Sequence, residues 1–465
     1  MSLFTGPNGM PLPPVVTPAD NYYVAFGALA FALMAAFIAL VIVNAPPRTR
    51  TAKAGRAKEQ QMTDRSAGLR EITHVFLKIG AMSYGGPAIM GIMQTEVQEK
   101  RQWISKPQFV EGLALVNMLP GPGATQLGIF LGHSKAGWLG GILAGVCFML
   151  PAFLIMLALT AAYAAFGTLP ATQSAFYGIG PVVVGIFAAS IYRLGKNMVK
   201  ERTQIAILIA AAAAILLTPV GLVATLLAAG CIGIALFHSR RTGVIALALL
   251  ITAVAAYRVG DFFIVATSMP AAGLAPQTNP GLPGLWELGA FFFKVGAFSF
   301  GGGLSMLAFI QEQVVNQFGW LRPQEFIDGL ALGQLTPGPI LMLAAFIGFK
   351  LAGIQGAMVA ASAIFLPSFV MMLSVLPLLR KMRDLQWLRA FMRGVGPAVI
   401  GALAVSLTQM APHAAPDFFT QALLALTVGL MLLRNAGALP LMSGGAMIGI
   451  LLKGGVWERI EKFAR

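Results

Sequence analysis

The sequence predicts an all-α polytopic membrane protein composed of two homologous halves of inverted topology. Three observations support this prediction: an apolar composition, an internal duplication and the distribution of charged loops. Of the 465 residues, 57% are hydrophobic and only 11% are charged, and the mean hydropathy is +0.78. So few polar residues could not cover the surface of a soluble globule of this length, so we assign the chain to the membrane.

Long apolar runs recur along the chain, for example at residues 22–43, 136–163 and 354–376. We expect them to be helices, because a transmembrane strand needs alternating polarity and a closed barrel. The two cysteines, Cys147 and Cys231, both lie inside apolar runs. Their placement indicates neither a disulfide framework nor a metal site.

The first apolar run, 22–43, is predicted to be an uncleaved anchor helix. No Lys or Arg precedes it, whereas basic residues are concentrated in the linker that follows, 44–70. The positive-inside rule therefore places the N-terminus outside and the linker in the cytoplasm. Loop placement and contact with anionic membrane lipids account for most of the net charge of +15, and no nucleic acid partner is predicted.

One segment that contains lysine and glycine occurs twice, as FLKIGAMSYGGP at 76–87 and FFKVGAFSFGGG at 292–303. The agreement continues with MLPGPG over LTPGPI and with LPAF over LPSF. A repeat of this length indicates duplication of half a molecule. The predicted domains are an anchor helix with a basic linker (1–70), a first repeat (71–240), a connecting helix with a Pro/Gly-rich linker (241–284) and a second repeat (285–465).

Loop charge indicates that the two halves have opposite orientations. The loop at 164–177 has no charge, while its counterpart around 380–393 carries five Lys and Arg residues. One loop further on the bias reverses, because 193–202 is basic and 409–417 has no Lys or Arg. By the positive-inside rule, equivalent loops lie on opposite sides of the membrane.

Each half is predicted to contain two broken, re-entrant helical hairpins followed by about four spanning helices. Basic residues flank both ends of 73–97, so this segment enters and leaves on one face, with its bend at 83–87. The segment 109–132 behaves likewise and bends at 120–123. An extra span at about 243–257 then carries the chain outside. Continuing the count of spans places the C-terminal tail outside. The positive-inside rule would place this basic tail inside, so the two indications disagree.

The bends predict an anion site, because breaking a helix frees backbone N–H groups and creates a positive dipole end. Irregular backbone at membrane depth occurs where protein buries it or where it lines a cavity. Inverted repeats with discontinuous helices are typical of secondary transporters that work by alternating access. The residues predicted to cradle the anion with their backbone are Gly85, Gly86, Pro120, Gly121, Pro122, Gly123, Gly301, Gly302, Pro337, Gly338 and Pro339.

Side chains near the bends also favour a small oxyanion. Lys78 and Lys294 lie inside apolar segments, where an ammonium group is costly without a partner. Lysine together with short neutral donors suits a small oxyanion better than a large organic substrate. Two alternatives stay open: the glycines serve close helix packing, and the lysines snorkel to the interface. The predicted hydroxyl and amide donors are Ser83, Ser299, Asn117, Gln126, Gln334 and Thr336.

Carboxylates also recur in equivalent positions, as Glu96 with Glu312 and as Glu111 with Asp328. They are candidates for carrying a coupling proton, and the alternative is that they are solvated carboxylates at the membrane interface. The four histidines show no metal-ligand spacing and none is repeated, so we expect them to be structural. No catalytic residue, metal or cofactor is predicted.

Two other functional classes were weighed against a carrier. The serines occur in GAMSYGG and GAFSFGG rather than in a G-x-S-x-G elbow, and no histidine is duplicated beside them, which argues against a membrane-embedded hydrolase. An anion channel remains an alternative, because the same hairpins could line a pore. Coupling to a proton or counter-anion gradient would distinguish a carrier from a channel.

At these residues the chain resembles the chromate ion transporter family in its long, two-domain form. The resemblance rests on FLKIGAMSYGGPAIM, on QWISKPQFVEGLALVNMLPGPGATQLGIFLG and on their second-half counterparts FFKVGAFSFGGG and GWLRPQEFIDGLALGQLTPGP. It extends from about Glu71 to the C-terminus, which leaves residues 1–70 outside the family core.

The resemblance implies export of chromate across the bacterial inner membrane and resistance to chromate. Chromate is a tetrahedral dianion shaped like sulfate, so a carrier of sulfate or another oxyanion is an alternative. A homodimer is one candidate assembly. In the second copy Gly303 replaces Pro87 and Ile340 replaces Gly123, so the two predicted sites need not bind equally.

Overall fold

The computed structural model describes residues 56–83, 86–218, 221–267, 283–298, 303–376 and 385–453. Every regular element within these ranges is a helix, which confirms the all-α prediction. The predicted anchor helix at 22–43 lies outside them, as do most of the Pro/Gly-rich linker and the C-terminal tail.

The first half begins with two interrupted hairpins and continues with longer helices. Its helices are α1 (Arg56–Met82), α2 (Gly86–Met93), α3 (Lys106–Met118), α4 (Gly123–Phe166), α5 (Pro170–Met198), α6 (Arg202–Leu217) and α7 (Leu222–Phe237), and a π-helix at Gln94–Lys100 continues α2. The connecting helix α8 (Arg240–Thr267) is longer than the span predicted at 243–257. Helix α1 begins inside the predicted linker, so the last part of that linker is helical.

The second half repeats this order element by element. Its helices are α9 (Leu285–Ala297), α10 (Gly303–Gln311), α11 (Pro323–Leu335), α12 (Leu343–Val375), α13 (Gln386–Ala414), α14 (Phe418–Arg434) and α15 (Ala438–Lys453). A π-helix at Glu312–Gln317 continues α10, and a 3-10 turn at Ile340–Met342 precedes α12. The duplication is therefore visible in the fold as well as in the sequence.

Local sequence explains where the second hairpin of each half begins. Ser105 caps α3 in a reciprocal arrangement, in which the Gln108 side chain accepts from the Ser105 backbone N–H at 3.0 Å. In the second half the Glu325 carboxylate accepts from the Arg322 backbone N–H at 3.0 Å. A proline follows each cap at the first or second helical position, where the missing N–H costs nothing.

The helices are interrupted at the predicted bends. In the first half α1 ends at Met82 and α2 begins at Gly86, and α3 ends at Met118 before α4 begins at Gly123. The centres of the two Pro-Gly-Pro turns, Gly121 and Gly338, have φ angles of 131° and 94°. Only glycine adopts such backbone readily, which explains its presence at the centre of both turns.

Helices α4 and α12 each contain a sharp kink at the same repeat position. Gly137 and Gly353 have φ angles of 66° and 62°. Each kink folds a short first arm back onto a long second arm, and the two arms approach closely. A Cβ built on Gly132 would lie 2.2 Å from the carbonyl oxygen of Gly140. The short arm completes the second hairpin, and the long arm is a spanning helix.

Equivalent helices of the two halves run antiparallel. A Cβ on Gly180 of α5 would lie 3.9 Å from the carbonyl oxygen of Ala414 of α13, and one on Gly396 of α13 would lie 3.6 Å from Sδ of Met198 of α5. The first part of each helix therefore lies near the end of the other. The two contacts are equivalent, because Gly396 corresponds to Gly180 and Met198 corresponds to Ala414. This arrangement is the inverted topology that loop charge predicted.

A late helix of each half packs against the other half. Helix α5 of the first half packs against α15 of the second, where a Cβ on Gly178 would lie 2.0 Å from the carbonyl oxygen of Gly445. Helix α13 packs against α7 of the first half, where a Cβ on Gly394 would lie 2.1 Å from the carbonyl oxygen of Ala229. Close contacts between small residues are a common way to join membrane helices, and here they tie each half to the other.

Among the described residues, four helices are long and apolar enough to cross a membrane: Gly123–Phe166, Pro170–Met198, Ile340–Val375 and Gln386–Ala414. Four further apolar helices, α6, α7, α14 and α15, have 16 or 17 residues. At 1.5 Å per residue these are about 24–26 Å long, somewhat less than the roughly 30 Å of a hydrocarbon core. Together with the four longer helices they give four apolar helices in each half, as the sequence predicted.

Replacing Gly394 with leucine should destabilise the protein, because the added side chain meets the α7 backbone. We expect a cost of roughly 1–3 kcal/mol and a lower thermal unfolding midpoint in detergent. The matched control is Gly429→Leu in α14, because a Cβ on Gly429 has nothing within 4 Å. Equal midpoints for the two variants would contradict the exchanged packing of α13.

Cysteine labelling tests the inversion. Single cysteines at Lys200 and Pro416, which are exposed and lie in equivalent loops, should be modified from opposite sides of the membrane. The native residues Cys147 and Cys231 are buried and are first replaced by alanine. If an impermeant reagent modified both new cysteines from the same side, the halves would not be inverted.

Candidate functional site

The breaks of the two halves meet at the interface between them. The backbone N–H of Gly338, in the second-half turn, donates to the carbonyl oxygen of Ser83 at 2.6 Å. Ser83 ends the first arm of the first hairpin, next to the break between α1 and α2. A Cβ on Gly338 would also lie 2.8 Å from Cβ of Ala152 in α4, so this turn rests on the first half.

The first-half turn is packed in the reciprocal way. A Cβ on Gly121 would lie 2.5 Å from Oγ of Ser368, which belongs to α12 of the second half. The same position is 2.4 Å from Nε2 of Gln126, and that amide donates to the carbonyl oxygen of Pro120 at 2.6 Å. Ala152 and Ser368 occupy equivalent positions in the LPAF and LPSF segments, so each turn contacts the same place on the opposite half.

Buried polar atoms without a protein partner are concentrated in the hairpins and helices that form the breaks. Ser83 Oγ, Thr125 Oγ1, Gln126 Oε1 and Ser368 Oγ have no hydrogen-bond partner among the described residues, and all four residues are fully buried. An unmet buried polar group costs about 1–3 kcal/mol, and native proteins contain few of them. Such groups beside a helix N-terminus are suited to receive a polar ligand.

Two of these residues, Thr125 and Ser368, were missed by the sequence prediction. The signal for Ser368 was present in the repeat, because LPAF and LPSF differ at one position and that difference introduces a hydroxyl. Thr125 lies two residues after the PGPG turn and next to the predicted Gln126. Ser368 could not be assigned from the sequence, because its contact with Gly121 joins segments that are distant in the chain.

The two predicted lysines have different environments. Lys294 is 6% exposed, and its Nζ lies 5.5 Å from the centre of the Phe309 ring, a distance at which a cation is attracted to the ring face. The Lys78 side chain is 51% exposed, and its Nζ lies 3.9 Å from the Glu96 carboxylate. Snorkelling therefore does not describe Lys294, whereas Lys78 reaches the ionic cluster at the end of its hairpin.

That ionic cluster joins the two hairpins of the first half. Glu96 pairs with Lys100 at 3.3 Å and with Arg101 at 3.2 Å. Arg101 also pairs with Glu71 at 3.2 Å, and Glu71 pairs with Lys135 at 3.4 Å. Basic groups outnumber carboxylates in the cluster, which lies at the end of the hairpins that loop charge places in the cytoplasm.

The corresponding region of the second half is built from amides. Glu312, the counterpart of Glu96, accepts from Asn316 at 2.7 Å and from Gln317 at 3.3 Å. Asn316 and Gln311 both donate to Gln409 of α13, at 2.9 Å and 3.3 Å. A cavity of about 450 Å³ opens here, lined by Ile215, Leu216, Gln311, Glu312, Val315, Asn316, Pro323, Phe326, Gln409, Met410 and His413.

The other pair of candidate carboxylates is also asymmetric. Glu111 is exposed, whereas Asp328 is 6% exposed. Asp328 accepts from the Tyr163 hydroxyl of α4 at 2.6 Å and from Gln324 at 3.0 Å. The alternative of a solvated interfacial carboxylate therefore does not describe Asp328, which lies in a contact between the halves.

The remaining predicted residues fall into two groups. Thr336 is buried and donates to the carbonyl oxygen of Leu332 at 2.8 Å, and Gln334 is half-buried one turn from the break. Pro120, Pro122, Pro337 and Pro339 form the two turns, Gly86 and Gly123 begin α2 and α4, and Asn117 belongs to α3. Gly85, Ser299, Gly301 and Gly302 lie outside the described residues.

Comparison with known proteins agrees with the duplicated architecture. The family described as chromate transporter matches residues 70–234 and residues 286–450, one match in each half. No solved structure matches the chain.

Named relatives cover most of the chain. A chromate transport protein of Cupriavidus metallidurans is 35% identical over 417 residues, which are 88% of this chain and 98% of that protein. A probable chromate transport protein of Synechococcus elongatus is 36% identical over 359 residues, which are 75% of this chain and 87% of that protein. A chromate transport protein of Pseudomonas aeruginosa is 32% identical over 352 residues, which are 74% of this chain and 82% of that protein.

The two family matches begin 216 residues apart, the same offset that relates the two kinked helices and the two lysines. The family model thus matches the duplicated unit twice, once in each half. This multi-pass membrane protein belongs to the chromate transporter family.

Proposed function

We propose that the protein is a secondary active transporter that exports chromate across the bacterial inner membrane and so confers resistance to chromate. The observation that carries this proposal is the meeting of the two helix breaks at the interface between inverted halves, among buried hydroxyl and amide groups that have no protein partner. The names of the relatives support chromate as the substrate.

The chemistry of the site suits a small oxyanion. Hydroxyl and amide groups donate to the oxygens of an anion, and the N-terminus of α4 adds backbone N–H groups and a positive dipole end. Lys294 supplies a buried positive charge in the adjoining hairpin. Hydrogen bonds to charged groups are stronger than those between neutral groups, so an oxyanion would offset the cost of leaving these groups buried.

Alternating access follows from the way in which the halves share the site. Each Pro-Gly-Pro turn rests on a helix of the opposite half, at Ala152 and at Ser368. Rocking of one half against the other would change these contacts together and expose the site first to one face and then to the other. This is the usual mechanism of transporters built from inverted repeats.

The charges at the outer ends of the first-half and second-half hairpins differ, and this difference supports export. The cluster around Arg101 and Lys135, at the face predicted to be cytoplasmic, has an excess of basic groups, which raises the local concentration of anions. The cavity at the opposite end carries Glu312 among amides, which favours release of an anion. The substrate would therefore be collected at the inner face and released at the outer face.

The carboxylates Glu96, Glu111, Glu312 and Asp328 are candidates for coupling to a proton. Asp328 is the one whose environment is best suited to this role, because it is buried in a contact between the halves. Rocking that separated Asp328 from Tyr163 would change the hydration of the carboxylate and hence its proton affinity. A counter-anion is the alternative coupling ion.

Replacing both lysines with methionine should abolish oxyanion transport while leaving membrane insertion intact, because the buried charge of Lys294 beside the site is lost and the ionic cluster that attracts anions loses Lys78. The measurement is uptake of labelled chromate and sulfate into inverted vesicles, with and without a proton gradient. Lys200→Met, at an exposed position, is the matched control. Unchanged chromate flux in the Lys78→Met, Lys294→Met double variant would contradict the assignment, and flux without any coupling would favour a channel.

Replacing Gly121 with alanine should lower the transport rate at least roughly tenfold, because the new methyl group meets Ser368 and Gln126 and strains the turn by about 1–3 kcal/mol. The control is Gly137→Ala, which has a positive φ but nothing within 4 Å of its Cβ, so it introduces strain without contact. Initial rates are compared at equal amounts of inserted protein. A Gly121→Ala variant that transported like the wild type would show that the turn is not part of the site.

A further inference from the structure

Given the proposed transport function, we infer that the oxyanion binds at only one of the two breaks. The site is the first-half turn, between the N-terminus of α4 and Ser368 of α12, with Thr125 and Gln126 as further ligands. The break in the second half, although it has the same Pro-Gly-Pro sequence, is a structural contact between the halves.

The first-half turn has the features of a built anion site. Helix α4 begins at Gly123, and its first arm is 13 residues long, from Gly123 to Lys135, before the kink. The N–H groups of a first helical turn have no partner within the helix. Ser368 Oγ lies beside Gly121, and Thr125 Oγ1 lies in the first turn; both are fully buried and have no partner among the described residues.

Gln126 completes the set of ligands. One hydrogen of its Nε2 is donated to the carbonyl oxygen of Pro120 at 2.6 Å, which leaves the second hydrogen for a ligand. Its Oε1 has no partner among the described residues and can accept from a protonated oxyanion or from a water molecule bound with the anion. The bond to Pro120 fixes the amide against the turn, so little side-chain freedom is lost when the anion binds.

The second-half turn has fewer of these features. Ser83 Oγ is the buried side-chain atom, without a partner among the described residues, on the residue that Gly338 contacts, whereas Thr125, Gln126 and Ser368 supply three such atoms at the first-half turn. At the positions equivalent to Gly123, Thr125 and Gln126 the chain has Ile340, Met342 and Leu343, and at the position equivalent to Ser368 it has Ala152. A 3-10 turn at Ile340–Met342 separates the Pro-Gly-Pro turn from α12, so the helix does not begin at the turn.

The amide that the second-half turn could offer is also in use. The Gly338 N–H donates to the carbonyl oxygen of Ser83 at 2.6 Å. Apolar side chains and an occupied amide make a stable joint between the halves but a poor environment for an anion. The duplicated sequence has therefore diverged into one binding turn and one joining turn.

Because Ser368 comes from the second half and the α4 N-terminus from the first, the site is complete only when the halves are apposed. Movement of α12 against α4 would withdraw the hydroxyl from the anion and lower the affinity. Ser368 thus links substrate affinity to the relative position of the halves.

The test compares equivalent positions of the repeat. We expect Ser368→Ala and Thr125→Val each to raise the KM for chromate roughly tenfold or more, because each removes a hydrogen bond to a charged ligand. The matched control Met342→Leu, at the position equivalent to Thr125, should leave KM unchanged. The double variant Ser368→Ala, Ala152→Ser should behave like Ser368→Ala alone; recovery of the wild-type KM would show that the two turns are equivalent and would overturn the inference.

Binding stoichiometry gives a second measurement that does not depend on transport. Calorimetric titration of the purified full-length chain with chromate, and separately with sulfate, should give one site per chain, weakened by Ser368→Ala. Two equal sites per chain, or affinity unchanged in both Ser368→Ala and Thr125→Val, would overturn the inference. Oxyanion binding that Ser368→Ala weakens, in a protein that moves no oxyanion across vesicles, would refute the proposed transport and leave this site assignment in place.

Discussion

The structure depends on one constraint: a helix that is interrupted in an apolar environment must find partners for the backbone groups it exposes. In this protein part of that requirement is met across the interface between the halves, by the hydrogen bond from the Gly338 N–H to the carbonyl oxygen of Ser83. Neither half could satisfy this contact alone. The breaks, at which we propose the binding site, therefore also hold the two halves in register.

Inversion and exchanged packing accompany this contact. Each half covers a break of its twin while equivalent segments approach from opposite faces, as the antiparallel α5 and α13 do. The exchanged packing of α13 on α7 and of α5 on α15 adds glycine contacts outside the turns. A rigid frame of spanning helices thus surrounds hairpins whose contacts lie between the halves, an arrangement suited to rocking.

Within this symmetry, the departures from it indicate function. Ser368 corresponds to Ala152, and Thr125 corresponds to Met342, which concentrates polar groups at one turn. The ionic cluster around Glu96 corresponds to an amide network around Glu312, which makes the two faces electrostatically different. These differences would give the oxyanion different affinities and association rates at the two faces, whereas the driving gradient sets the direction of net transport.

Much of the fold could be predicted from the sequence, because its signals are local. Glycine and proline mark the breaks, apolar runs mark the helices, and loop charge gives their orientation. The site was only partly predictable, because its contacts join distant segments. Nothing in the sequence pairs Gly121 with Ser368 or Asp328 with Tyr163, and the different environments of Lys78 and Lys294 result from packing that their matching motifs do not reveal.

Locating the bound oxyanion tests the proposed site most directly. Crystals of the full-length protein grown with chromate would give an anomalous difference map in which chromium is the only strong scatterer added. We expect a single peak per chain, at the turn formed by Pro120 to Gly123 and close enough to Ser368 for a hydrogen bond. A peak confined to the outer cavity near Glu312 or to the cluster around Arg101, with no density at the breaks, would contradict this expectation.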